Sequence, residues 1–165
     1  MMQKRLLLLT LTLLLPIALA ATVPDMKFRR LDTRDGLSNS QVMALLRDSK
    51  GIVWIGTPYG LNRYDGYRVH TFYSDPRDST TLRSNYVDAI FEATDGKLWL
   101  RQGMSYSIFD PLTERCDRHP ERWLEKQGIK GGIEFLHIDS QGDFWVKTYT
   151  DGFYHYRPKT KSLKR

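Results

Sequence analysis

Cysteine is nearly absent from this chain, which has one thiol, Cys116, among 165 residues. A single thiol excludes an intrachain disulfide, so packing and hydrogen bonds must stabilise the fold. In an exported protein, this absence is more typical of the bacterial periplasm than of a disulfide-dependent eukaryotic secreted fold.

Long apolar runs are also absent after the first twenty residues. Those residues comprise a cationic head (Met1–Arg5), an apolar run (Leu6–Leu15) and the small-x-small triplet Ala18-Leu19-Ala20. This order predicts a cleavable signal peptide over residues 1–20 and export to the periplasm. An N-terminal membrane anchor is the alternative, but the run is shorter than the about 20 residues of a span and a proline ends it.

Charge of one sign is only moderately in excess, with a formal net charge of +6 that owes much to the basic tail, residues 157–165. In an exported chain, a basic end of this kind indicates a solvated surface. We therefore expect no nucleic-acid partner for this region.

Motifs for metal binding and catalysis are lacking. The four histidines are His70, His119, His137 and His155. They share no spacing typical of metal ligands, so we expect no metal and no cofactor. Ser38 and Ser84 lie in no nucleophile-elbow context, and Cys116 suits the role of a small apolar filler. The sequence thus predicts a chain that is not an enzyme.

What the sequence does contain is an internal repeat. Trp54, Trp99 and Trp145 are spaced by 45 and 46 residues, and a glycine stands three residues before each of them. Those glycines are Gly51, Gly96 and Gly142. Apolar segments recur at a fixed offset upstream of each tryptophan, and strand-like alternation follows downstream, so the chain is built from three copies of one unit.

Each unit is predicted to form four antiparallel strands. In the first copy, Asp48-Ser49-Lys50-Gly51 has turn chemistry, because the carboxylate can accept a backbone N–H two residues on and glycine tolerates positive φ. Four strands every 45 residues is the period of a β-propeller blade. A helical solenoid is the alternative, but only residues 120–127 resemble a helix.

The predicted fold is all-β, a partial β-propeller of three four-stranded blades that follows the signal peptide. An outer, closing strand (Met26–Leu31) and a loop would occupy residues 21–36. Blade 1 spans residues 37–81, blade 2 residues 82–127, and blade 3 residues 128–165 with an incomplete or frayed end.

The first copy resembles the two-component regulator propeller repeat, which is found in periplasmic sensors of hybrid two-component systems, many from gut Bacteroidetes. Copies two and three keep the tryptophan and the turn glycine but replace Ile-Gly-Thr by Leu100-Arg101-Gln102 and Val146-Lys147-Thr148. The matching positions of copy one are Gly36–Asn39, Val42, Asp48, Gly51, Trp54–Thr57 and Gly60–Asp65.

The resemblance implies the N-terminal fragment of a sensor histidine kinase. Its partners would be the remaining blades and the kinase of a full-length, membrane-anchored homodimer, and its ligand an oligosaccharide that shifts the dimer between states. Three blades cannot close a ring, so we expect residues 21–165 not to unfold cooperatively as a monomer.

The residues that could carry function lie in the predicted loops. Loops between the second and third strands, with the blade connections, form the usual binding face of a propeller. The ligand candidates there are Tyr59, Arg101, Gln102 and Tyr149. The repeated tryptophans are expected to pack between blades, and Asp65 and Asp110 to form turns instead of a catalytic pair.

Two other functions remain open. A secreted propeller hydrolase or lyase acting on glycans would need non-repeating acidic or histidine residues clustered on one face. A propeller that serves only as a protein-interaction platform would lack a kinase.

Overall fold

The computed structural model describes residues 28–165, so the predicted signal peptide lies outside the described residues. Residues 31–165 form one compact unit. Residues 28–31 form no strand and residues 26–27 are not described, so the closing strand stays a prediction. In the described part of the chain, no helix has the length and apolarity that a membrane crossing requires.

Three four-stranded antiparallel sheets, each with its strands in chain order, make up this unit and confirm the predicted partial propeller. Blade 1 comprises β1 (Ala44–Arg47), β2 (Val53–Thr57), β3 (Gly60–Tyr64) and β4 (Val69–Phe72). Blade 2 comprises β5 (Ala89–Glu92), β6 (Leu98–Gln102), β7 (Ser105–Asp110) and β8 (Arg115–Asp117). Blade 3 comprises β9 (Ile133–Ile138), β10 (Phe144–Thr148), β11 (Gly152–Arg157) and β12 (Ser162–Lys164).

Two further elements lie in the connections. A 3₁₀ turn, Thr33–Asp35, precedes blade 1, and helix α1, Glu121–Lys126, follows β8. The expected incomplete end of blade 3 is not seen, because β12 pairs with β11 over three positions, including Tyr156 opposite Leu163. Leu163 also packs against the core beneath it, which gives this last strand an apolar anchor.

The turns after the first strand of blades 1 and 3 have the predicted chemistry. Asp48 Oδ1 accepts from the backbone N–H of Lys50 at 3.0 Å and of Ile52 at 2.9 Å. Asp139 does the same for Gln141 and Asp143 in blade 3. The second carboxylate oxygen of each aspartate accepts the indole N–H of the repeat tryptophan, Trp54 at 2.8 Å and Trp145 at 2.9 Å.

The blades are joined face to face by two apolar cores. Between blades 1 and 2, Trp54 packs edge-on against Phe109 with ring centroids 5.6 Å apart. Between blades 2 and 3, Trp99 packs on Phe144 at 5.2 Å. Each of these tryptophans therefore contacts the following blade, and both are almost fully buried.

Trp145 lies differently. It is only partly buried and stacks on His155 of its own blade, at 3.9 Å and 7°. The same face of blade 3 exposes Phe135 and Phe153. Among the described residues no further blade covers this face, so the expected packing of the third tryptophan between blades is not formed here.

A buried apolar residue, which we call the plug, precedes each blade and anchors the chain there. Leu37, Leu82 and Ile129 precede their blades at similar offsets from the tryptophan, and each is at most 5% exposed. In blade 1, the backbone N–H of Ser38 donates to Asn62 Oδ1 at 2.9 Å, beside this plug. Arg118, which directly follows β8 of blade 2, stabilises the loop that precedes this blade. Its guanidinium donates to several carbonyl oxygens of that loop.

Candidate functional site

The strand register brings two kinds of loop to one face of the blades. Ala44 pairs with Gly56, and Leu61 with Phe72, so the start of β1, the β2–β3 turn and the end of β4 lie at the same end of blade 1. Blades 2 and 3 repeat this arrangement. We name this end the turn face, defined by residues 58–59, 103–104 and 149–151.

Two of the predicted ligand residues project from the turn face. Tyr59 and Tyr149 are 60% and 56% exposed, while their backbones are held. The N–H of Tyr59 donates to Thr57 Oγ1 at 3.0 Å, and the N–H of Tyr149 donates to the carbonyl of Gly132 at 3.0 Å. Rigid backbones that present exposed phenol rings suit the capture of a ligand at low entropic cost.

Arg101 lies inside β6, and its predicted position in the loop between the second and third strands is therefore wrong. Its Nε donates to Asp88 Oδ2 at 3.0 Å, and this hydrogen bond raises the pKa of the guanidinium against the opposing effect of burial. The other oxygen of Asp88 accepts the N–H of Gly103 at 3.3 Å. Arg101 therefore braces the turn and remains half-exposed.

Gln102 also belongs to β6 and is buried, which differs from the surface-loop position expected for it. Its Nε2 donates to the carbonyl of Ser84, and its Oε1 accepts from Ser107 Oγ at 2.7 Å. Both ends of the amide are thus engaged in fastening the connection to blade 2. Sequence reasoning could not separate this role from ligand binding, because the residue differs between copies in either case.

A small cavity of about 210 Å³ opens on the turn face between blades 2 and 3. Its lining includes Met104, Tyr149, Arg83, Glu121 and Tyr106. Burial raises the pKa of Tyr106, whose hydroxyl accepts the N–H of Leu136 at 3.0 Å. Met104 and Arg83 are not among the residues predicted to bind a ligand, although Met104 directly follows the turn glycine.

The repeat residues occupy structural positions. Trp54 and Trp99 are 1% and 2% exposed, so no sugar ring can reach them. Asp65 Oδ1 accepts two backbone N–H groups at 2.8 Å, which lower its pKa. Asp110 accepts the N–H of Leu112 at 2.9 Å in the equivalent turn. In the described part of the chain, His, Cys, Asp and Glu form no group of three or more suited to a metal ion.

Comparison with known proteins agrees with this architecture. Residues 36–59 match the family Two component regulator propeller. Histidine kinase P4 of Formosa agariphila is 37% identical over 68 residues, which is 41% of this chain and 5% of that protein. The extracellular domain of the hybrid two component system BT3049 from B. thetaiotaomicron aligns with a TM-score of 0.60 and 23% identity, over 83% of this chain and 20% of that one.

Three four-stranded antiparallel sheets joined face to face place the chain among the β-propellers. Within that class it carries a two component regulator propeller repeat, as its sequence predicts. The chain spans only a small part of the relatives it matches.

Proposed function

We propose that this chain supplies blades to the periplasmic ligand-sensing propeller of a two-component signalling protein, with an oligosaccharide as ligand and no chemistry of its own. The observation that carries this proposal is the family repeat at residues 36–59, in a fold whose turn face presents exposed tyrosines. The sequence relative, named as a histidine kinase, supports the signalling role.

The turn face has the chemistry of a sugar-binding surface. Tyr59 and Tyr149 offer apolar rings with a polar tip, which suit the C–H faces and hydroxyls of a sugar. The cavity beside Tyr149 adds a guanidinium and a carboxylate, Arg83 and Glu121, which can donate to and accept from hydroxyls. Gln102 is buried and does not belong to the proposed binding surface, whereas the half-exposed Arg101 lies at its edge.

Further blades are the proposed partners of blade 3. Trp54 and Trp99 each rest on an aromatic ring of the next blade. Trp145 presents the same repeat position on an open face, with Phe153 at 5.9 Å beside it. A following blade that covers these rings would complete the pattern. In the full-length protein, anchored in the inner membrane and dimeric, ligand binding would shift the dimer between two states.

The test is calorimetric titration of the full chain with a panel of neutral and acidic oligosaccharides. We expect at least one to bind, and Tyr149→Ala or Tyr59→Ala to weaken the complex. Tyr67→Ala is the matched control, because this tyrosine is 89% exposed and lies in the β3–β4 turn at the opposite end of the blade. No binding by any member of the panel would refute oligosaccharide sensing by these blades.

Periplasmic location is tested separately by cell fractionation and mass spectrometry of the N-terminus. We expect the chain in the periplasmic fraction, beginning near residue 21. A cytoplasmic product that retains residues 1–20 would contradict the proposal.

A further inference from the structure

One cavity of the described chain lies away from the turn face. It measures about 630 Å³ and opens between blade 2, helix α1 and blade 3. Its rim comes from the β5–β6 turn, the β7–β8 turn and α1, with Pro158 from the β11–β12 turn. Turns of this kind lie at the end of the blade opposite to the turn face, so we name this cavity the lower groove.

The groove exists because β8 brings no large apolar side chain to the boundary with blade 3. In blade 1, Phe72 of β4 fills the corresponding space, with ring centroids 6.1 Å from Trp54 and 4.8 Å from Phe109. In β8, Asp117 is paired with Ile108, whose side chain faces blade 3, so it corresponds in register to His70 of blade 1. The strand ends at Asp117, before the position that Phe72 occupies in β4.

Helix α1 supplies the missing ring from outside the sheet. Trp123 packs edge-on against Trp99 at 5.4 Å and stacks on Phe144 at 5.0 Å and 30°. Leu124 is buried beside it and anchors the helix. Trp123 itself is only partly buried, so its indole ring forms an accessible floor for the groove.

The rim mixes hydrogen-bond donors and acceptors. Four cationic side chains and three carboxylates line the groove: Lys97, Arg115, Arg122, Lys126, Asp95, Asp110 and Asp117. Within residues 28–165, Arg122 and Lys126 form no ion pair, and both are exposed. Lys97 faces Asp95 at 4.0 Å.

An indole floor under a rim of this composition fits a polyhydroxylated ring. Sugar hydroxyls both donate and accept, so they can use guanidinium, ammonium and carboxylate groups together. The C–H face of a sugar can pack on an indole. The volume lies in the range of about 300–1,000 Å³ that small-molecule sites occupy. The rim carries one more positive than negative group, which favours a neutral or singly anionic ligand over a polyanion.

We propose that the lower groove is a saccharide-binding site in which Trp123 stacks on one sugar ring and Arg122 and Lys126 donate to its hydroxyls or to a single carboxylate. This inference rests on the proposed oligosaccharide ligand, but it places the binding residues on the end opposite to Tyr59 and Tyr149. The specificity would then depend on α1 in the connection between blades 2 and 3.

The test uses the full chain and an array of neutral, singly acidic and polyacidic di- and trisaccharides. We expect a neutral or singly acidic member to bind and to change the tryptophan fluorescence. This fluorescence change should be absent in Trp123→Phe, which assigns it to Trp123. Arg122→Gln with Lys126→Gln should raise Kd about tenfold or more, since each removes a charge-assisted hydrogen bond. Arg68→Gln is the matched control, an exposed arginine in the β3–β4 turn of blade 1.

The outcomes separate this inference from the proposed function. Binding that survives Arg122→Gln and Lys126→Gln but is lost in Tyr149→Ala would overturn the groove site and leave oligosaccharide sensing intact. A preference for polyacidic members would also overturn it. Absence of binding by every member would overturn the proposed function and this site together. Near-ultraviolet circular dichroism of each variant shows whether its aromatic packing is retained.

Discussion

The ring of Trp99 lies 5.2 Å from the ring of Phe144, at an interplanar angle of 76°, across the boundary between blades 2 and 3. Through this contact, the repeat tryptophan of one blade packs directly on the next blade. The tryptophan comes from the second strand of one blade, and the phenylalanine comes from the second strand of the following blade.

Removal of this ring should loosen the boundary far more than removal of its repeat equivalent in blade 3. Trp99→Ala deletes a fully buried side chain, and we expect a loss of about 3–5 kcal/mol. Trp145→Ala deletes a partly exposed ring with one indole hydrogen bond, and we expect about 1–2 kcal/mol at most. Hydrogen exchange of the β6 and β10 amides measures both losses without requiring a single cooperative transition. Equal losses would contradict the assignment of Trp99 to the boundary.

Gln102 should prove a structural residue. Gln102→Leu leaves the carbonyl of Ser84 and the hydroxyl of Ser107 without their partner in a buried place, at a cost of about 1–3 kcal/mol. Tyr59→Ala, at an exposed position, should change stability by no more than about 0.5 kcal/mol. The measurement is amide exchange in β6 and β7. Unchanged amide exchange rates in Gln102→Leu would contradict the structural role and again make Gln102 a candidate for ligand binding.

The pH dependence of blade 3 should follow Asp139. Its pKa is held below the ordinary 3.8, first by the hydrogen bond from the Trp145 indole and, with smaller effects, by backbone N–H groups, against the opposing effect of burial. A folded-state pKa below the unfolded value stabilises the fold above about pH 3.8, and this contribution is lost as the pH falls toward the folded pKa.

Trp145→Phe removes the largest cause of that shift, so the pKa of Asp139 should rise toward 3.8. Nuclear magnetic resonance titration of the Asp139 carboxyl carbon measures it. Trp54→Phe is the control, because that indole serves Asp48 in blade 1 and should leave Asp139 unchanged. An unmoved titration in Trp145→Phe would show that the indole N–H does not govern this carboxyl.

Substitution by alanine should destabilise the fold to different extents at two turn glycines. Gly142 and Gly103 have φ of +82° and +68°, so alanine is strained by about 1–2 kcal/mol at either position. A Cβ at Gly142 also collides with Thr94 Cγ2 of blade 2, whereas a Cβ at Gly103 meets nothing within 4 Å. Gly142→Ala should therefore cost more and loosen the boundary between blades 2 and 3.

The added variant Thr94→Ala isolates the steric part. In its presence Gly142→Ala should cost no more than Gly103→Ala, because only the backbone strain remains. Amide exchange in β9 and β10 gives the comparison. A cost at Gly142 that Thr94→Ala does not reduce would mean that the two blades do not meet at this point.

The repeat explains why so much of the fold is predictable here. Asp48, Gly51 and Trp54 each act within one hairpin, through bonds that span at most six residues. Short-range chemistry of this kind can be read from spacing alone. The ligand candidates fared differently, since Arg101 and Gln102 look alike in sequence but one is half-exposed and the other is buried.

The amino-acid sequence by itself determined the number of blades, their period, their turns and the family repeat, because these depend on residues close together in the chain. Only the tertiary structure decided what each tryptophan touches and where cavities open. Phe72 closes one boundary between blades, whereas β8 brings no ring to the next one, where Trp123 of α1 packs instead. Such differences depend on side chains that meet across two blades, from segments far apart in the chain, and no local pattern encodes them.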